Sequence, residues 1–352
     1  MNSMGVRLGA AAFLLSLPAL PAAGWGQLAP SPDAPPVSTA PAPSPEEESA
    51  ARVKIDVNLV DVFFTVKDQQ GNLVAHLTGD DCTVTEDKAA QKLKSFTAET
   101  NLPLTLGILL DTSGSQQRVL PLEQQAGSRF LERILKPKDE AFLLSFDVNV
   151  DLLRDMTGDL QLLTRAMNKA EINSAGGNGA IGIPGGPGGT VPTIGKPKGT
   201  LLYDAVYLAA SRVLNQETGR KALILLTDGE DVGSLKKIGE AIAAAQKSNA
   251  PVYVILLADK GIYGSLGYGG YSAMKKMSEE TGGRLIDVGN NGKKLEAAFE
   301  QIEDELHTQY AASYTPSNTK LDGGFRRLGV ECRGDGMKVQ VRKGYYALAP
   351  QN

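Results

Sequence analysis

Apolar and polar positions follow two different periods along this chain, and the places where the period changes divide it. Between residues 102 and 307, short apolar runs of the kind that make strands buried on both faces alternate with segments of helical spacing. Strands are expected at 104–110, 141–146, 222–226, 252–257 and 284–288, with 148–153 as a hairpin partner of the second. Helices are expected from the residues after Asp111 through Leu135, stopped near Pro137, and at 159–170, 200–214, 234–247 and 271–281. A last helix begins near Lys293, where Leu295, Phe299, Ile302 and Leu306 recur at helical spacing as a buried stripe. This alternation predicts a doubly wound, mostly parallel α/β domain over residues 101–308.

On either side the period falls to two. Val53, Ile55, Val57 and Leu59 alternate with Lys54, Asp56 and Asn58, and Val62 to Val66 runs into a turn at 67–72. Short strands are expected at 73–77, 82–86 and 93–96, and beyond Gln309 at 310–314, 326–332, 338–342 and 344–347. Each flank alone is about half of a convincing sandwich. The economical arrangement pairs residues 52–100 with 309–352 in one small β-sandwich, the α/β domain being inserted between the halves.

The beginning of the chain follows neither period. Residues 1–23 carry one charge, Arg7, then an apolar stretch over 8–20 and Pro21-Ala22-Ala23, the pattern of a secretory signal peptide. An uncleaved anchor is the competing reading; the stretch is short and interrupted by Pro18, which favours cleavage. Residues 24–51, rich in Pro, Ala and Ser and closing on Glu46-Glu47-Glu48, read as a flexible tether. The expected location is secreted or periplasmic, with no membrane insertion after cleavage, because no later run has the length and apolarity of a span. A net charge of −4 gives no reason to expect nucleic acid or an anionic membrane as partner.

The chemistry lies at the ends of two of the buried runs. The first closes on Asp111-Thr112-Ser113-Gly114-Ser115, where a tight turn can bring a carboxylate and two hydroxyls to one point. Hard oxygen donors without nearby Cys or His suit Mg²⁺, Ca²⁺ or Mn²⁺. Alone, the same five residues could be a polar turn that caps a helix. The second run repeats the design, closing on Thr227-Asp228-Gly229, and between them Gly199-Thr200 precedes an amphipathic helix.

In these three segments the chain resembles the von Willebrand factor type A family, a Rossmann-like fold whose metal-ion-dependent adhesion site combines DxSxS, a threonine on a separate loop and an aspartate after a further strand. The resemblance implies that Asp111, Ser113, Ser115, Thr200 and Asp228 are the metal ligands, with one coordination position left open for an acidic residue of a partner. It thus implies a metal-dependent adhesion or protein-binding module whose partner presents an exposed Asp or Glu. Mg²⁺ is the expected ion, with Mn²⁺ or Ca²⁺ as alternatives. A second likeness covers the flanks: 61–66, Asp68-Gln69-Gln70-Gly71, His76-Leu77-Thr78, 81–87, Gln91, Phe96, 325–327 and 342–346 are similar to secreted bacterial proteins of the VWFA-related acidobacterial type. The chain departs from that pattern at Cys82 and Lys88.

Two other functions compete. One is a structural or envelope-assembly component whose metal only orders the loops. The other is a hydrolase with Ser113 or Ser115 as nucleophile; the only histidines, His76 and His307, fall in elements remote from the DTSGS loop, which disfavours a Ser-His-Asp arrangement and any enzyme. Two Gly-rich stretches, 173–198 and 259–270, should flank the metal face, either as partner contacts or as unstructured insertions. Cys82 and Cys332 are the only cysteines, and either a disulfide joining the flanks or two separate buried thiols fits the sequence.

Overall fold

A computed structural model of the chain describes residues 59–98, 102–172, 199–257 and 270–349. The expected signal peptide, most of the tether, the early alternation at 53–58 and nearly all of both Gly-rich stretches lie outside the described residues.

The centre is a six-stranded sheet in the order β10-β9-β8-β5-β6-β7. Its strands are β5 (Leu104–Asp111), β6 (Glu140–Phe146), β7 (Val150–Thr157), β8 (Arg220–Thr227), β9 (Val252–Leu256) and β10 (Leu285–Asp287). All neighbours pair in parallel except β7, which runs back against β6. Helices α1 (Leu120–Ile134), α2 (Leu160–Asn168) and α6 (Gly292–His307) cover one face. Helices α3 (Leu202–Leu208), α4 (Ile238–Lys247) and α5 (Gly270–Thr281) cover the other. The unbroken apolar runs follow from this double cover. In β8, Ala222, Ile224 and Leu226 face the first helical layer while Leu223 and Leu225 face the second.

Several expected boundaries shift for local reasons. The residues after Ser113 make a 3₁₀ turn, Gly114–Gln116, and α1 starts only at Leu120 with proline in its first turn. The helix expected over 200–214 has an α-helical part at Leu202–Leu208, then widens into a π turn at Ala209–Val213 and tightens at Leu214–Gln216. Helix α4 starts at Ile238, because Asp204 accepts hydrogen bonds from the amides of Leu235 and Lys236 and holds residues 231–237 as a loop. The segment 73–77 is not a strand: a single bridge, Leu73 to Lys67, ends the ladder.

The flanks build two antiparallel sheets, β13-β1-β11-β4 and β14-β12-β2-β3. From the first flank come β1 (Val60–Lys67), β2 (Cys82–Glu86), β3 (Ala89–Ala90) and β4 (Leu93–Ala98); from the second come β11 (Tyr310–Tyr314), β12 (Phe325–Cys332), β13 (Lys338–Val341) and β14 (Gly344–Tyr346). Neither flank could close its sheet alone, since β1 lies between β11 and β13 and β12 pairs with β2. Val60, Val62, Phe64 and Val66 of β1 share one core with Val84, Tyr310, Tyr314, Leu328 and Val330. Cys82 and Cys332 stand opposite each other in the β2–β12 register and form a disulfide across a sequence separation of 250 residues.

The sandwich and the α/β body meet through buried charge. Glu305, at the end of α6 and without solvent exposure, pairs with Lys67 of β1 at 2.9 Å and Arg284 at 2.8 Å, and accepts from Gln340 at 3.2 Å. Arg342 donates to the carbonyls of Gln246 and Asp61, tying α4 to β1.

Gly107, in the middle of β5, admits Phe142 and Leu223 so closely that a Cβ there would run into both. We therefore expect Gly107→Ala to lower stability by about 1–3 kcal/mol through overpacking, read as a reduced urea midpoint; an unchanged midpoint would show that the two side chains can move aside freely.

Candidate metal centre

Strands β5 and β8 lie side by side in parallel, Leu110 opposite Leu226, so their carboxyl ends deliver Asp111 and Asp228 to the same edge of the sheet. Both acids are buried. Asp111 is fixed by two donors: the Ser113 amide at 3.0 Å and the Thr227 hydroxyl at 2.6 Å. That hydroxyl also accepts from the Gly229 amide at 2.9 Å, so one threonine orients both strand ends. Asp228 accepts from the Glu230 amide at 3.1 Å. Gly229 has φ of +85°, a conformation that side chains rarely adopt, and a Cβ there would run into Met274.

The hydroxyls arrive from two loops. Ser113 and Ser115 turn toward one another, with their Oγ atoms 3.0 Å apart, and Ser115 is only half-buried, at the mouth of the site. Thr200 is buried and forms a two-way backbone bridge with Val232, four residues beyond Asp228. The neighbouring Leu201 amide donates to the Asp147 carbonyl at the end of β6. Asp147 also receives the Thr112 hydroxyl at 3.0 Å, so the Thr200 loop and the DTSGS loop share an anchor. The structure thus places Asp111, Ser113 and Ser115 in one turn, Asp228 on the adjacent strand end, and Thr200 on a loop tied to the residues that follow Asp228.

Among the described residues, no three Asp, Glu, His or Cys side chains gather as a ligand cluster. A site of two carboxylates and three hydroxyls would not do so, and its chemistry is that of hard oxygen donors. His307 ends α6, near Arg220, Lys136 and Asp139 at the amino ends of the strands, and His76 belongs to the sandwich flank. Neither is placed to activate Ser113 or Ser115.

Sequence reasoning missed two residues beside this group. Glu123, in the first turn of α1, has no solvent exposure and neither carboxylate oxygen has a partner. Gln116 is equally buried, with both amide atoms unpartnered. Leaving such groups unsatisfied costs about 1–3 kcal/mol each. A signal was present: Glu123 falls on the helical stripe of Leu120, Ala126, Phe130 and Leu131, which is otherwise apolar.

The electrostatics fit a cation. Burial, and then repulsion from Asp228, raise the Asp111 carboxyl from 3.8 to about 7, against the opposing pull of its Ser113 and Thr227 hydrogen bonds. Burial, with repulsion from Asp111 and then Asp228, holds Glu123 well above its ordinary value. A buried carboxyl repelled by its neighbour, together with orphaned polar atoms, is what a bound divalent ion would relieve.

Both carboxyls hold protons more tightly folded than unfolded. Their stabilising contribution in the metal-free protein is complete below the unfolded value near 4 and is lost as pH rises through the folded value. The thermal midpoint of metal-free protein in chelator should therefore fall between pH 6 and pH 8, and Asp111→Asn should flatten that fall. A midpoint that rises over the same interval would contradict the arrangement of charges described here.

No protein-family model matches the sequence, and no curated protein matches it. Solved structures do resemble the fold. BatB from Bacteroides thetaiotaomicron, a conserved hypothetical protein, is 19% identical over 58% of this chain and 98% of its own, with a TM-score of 0.42. Proximal thread matrix protein 1 from the mussel byssus, solved with zinc in its MIDAS motif, is 13% identical over 63% of this chain and 50% of its own, with a TM-score of 0.46. The vWF domain of the type V pili tip protein Mfa5 from Porphyromonas gingivalis is 12% identical over 58% of this chain and 95% of its own, with a TM-score of 0.40. This chain spans about half the length of the mussel protein and almost all of the other two. The α/β body is a doubly wound, mostly parallel sheet covered by helices on both faces, as the apolar pattern predicts.

Proposed function

We propose that the protein is an exported binding module that captures an acidic residue of another protein through a divalent cation, held by Asp111, Ser113, Ser115, Thr200 and Asp228. The observation that carries this reading is the pair of buried acids at adjacent strand ends. Asp111 and Asp228 repel one another, and no basic side chain is among the groups that act on Asp111. Hydroxyls at the mouth supply neutral oxygen, which is suited to Mg²⁺ and serviceable for Mn²⁺ or Ca²⁺.

When bound, the cation would supply Lewis acidity toward an incoming carboxylate. The chain's own part is orientation. Thr227 fixes the Asp111 carboxylate, the Glu230 amide fixes Asp228, and the two-way bridge between Thr200 and Val232 keeps the threonine loop in place. We read residues 1–23 as the leader that exports the module and 24–51 as the tether that displays it. Among the described residues no helix is long and apolar enough to cross a membrane.

Calorimetric titration of the mature protein with Mg²⁺, Mn²⁺ and Ca²⁺ tests the reading. The wild type should bind at least one, and Asp111→Ala and Asp228→Ala should each lose affinity by about 100-fold or more, beyond the usual effect of an outer-shell change. Capture of extracytoplasmic protein partners should disappear in chelator and return on adding the ion; capture at full strength from Asp111→Ala would refute metal bridging.

A further inference from the structure

Gln116 and Glu123 have no place in the five-ligand set, yet both are fully buried and all four of their side-chain polar atoms lack partners. They flank the DTSGS loop on its helical side. Gln116 is the residue after Ser115, at the end of the 3₁₀ turn, and Glu123 is in the first turn of α1. Glu123 lies on the buried stripe of the helix that follows the DTSGS loop, and the charges of Asp111 and Asp228 reach it. Burying a carboxyl with no hydrogen-bond partner opposes folding unless something compensates. Nor do these residues serve the helix: the first turn of α1 makes no side-chain cap, and Glu123 bonds to none of its free amides.

We propose that Gln116 and Glu123 form a buried outer tier of the metal centre, positioning residues that hydrogen-bond the water completing a hydrated cation's coordination. The proposal rests on the metal-binding reading above and extends it to the chain's own residues. Their chemistry divides the work. Glu123 only accepts when ionised, so it orients the protons of ion-bound water and adds negative charge to the well. Gln116 both donates and accepts, and can bridge between water and a carboxylate. Small, strongly hydrated ions such as Mg²⁺ and Mn²⁺ keep several waters in protein sites, and a tier of this kind gives those waters partners inside the fold.

The test uses the full mature protein and the isosteric variant Glu123→Gln, with Gln116→Leu as a second, uncharged change. Mn²⁺ is the probe, its affinity followed by calorimetry and its bound waters by electron–nuclear double resonance. Each variant should bind Mn²⁺ about 10- to 100-fold more weakly, with an altered water signal. In chelator at pH 8, Glu123→Gln should melt higher than the wild type, because one of three mutually repelling acids is gone.

A glutamate with a merely structural role would give the opposite: a lower melting point in chelator, with unchanged Mn²⁺ affinity and water signal. That result overturns the outer tier and leaves the five-residue site standing. If the wild type binds none of Mg²⁺, Mn²⁺ and Ca²⁺ while folding normally, the site itself falls and the tier falls with it.

Discussion

Everything at the functional edge depends on one constraint: strands covered on both faces end in acids that water barely reaches. β5 is buried along its entire length, Asp111 included, and Asp228 follows directly from the equally enclosed end of β8. A carboxylate in that position keeps its charge only through oriented donors or a cation. The chain supplies two donors to Asp111 and lets one of them, the Thr227 hydroxyl, also organise the turn after Asp228. Burial and the repulsion from Asp228 still outweigh those donors, and the Asp111 carboxyl holds its proton more tightly than a free one.

The opposite edge of the sheet solves the same problem differently. Glu305 is as deeply buried as Asp111, but there Lys67 and Arg284 meet it from the sandwich and from β10. One buried acid is neutralised by the protein's own bases and joins two parts of the fold. Asp111, where the loops open, is held instead by an amide and a hydroxyl. Within one chain, then, one buried carboxylate is held by bases and another by neutral donors.

Much of this was legible in the amino-acid sequence because burial leaves a periodic trace. The continuous apolar runs at 104–110 and 222–226 marked strands covered on both faces, and the alternation in β1 marked one face of a sandwich. Tyr310–Tyr314 emerged with the boundaries expected. What escaped was set by tertiary contacts. Asp204 keeps 235–236 out of α4 by accepting their amides, a long-range bond that no local propensity records. The pairing of Cys82 with Cys332 required a register that only the folded β2–β12 ladder defines. Glu123 escaped for another reason: its position on an apolar stripe was visible, but a charged residue there reads as an irregularity until the strand ends beside it are known.

The way the α/β body is inserted also decides what can reach the site. The chain enters the body from β4 into the amino end of β5, and it leaves from the last turn of α6 into β11. In a parallel sheet with helical returns, both crossings lie on the amino-terminal edge. The contacts that fasten the sandwich gather on that side: Glu305 with Lys67, Arg342 with the Gln246 carbonyl at the end of α4, and the Lys343 amide with the Glu280 carbonyl near the end of α5. The acids and hydroxyls occupy the carboxyl-terminal edge, where ligands of open α/β sheets are bound. An insertion of this topology therefore anchors the body from behind and leaves the edge that carries Asp111 and Asp228 facing away from those anchoring contacts.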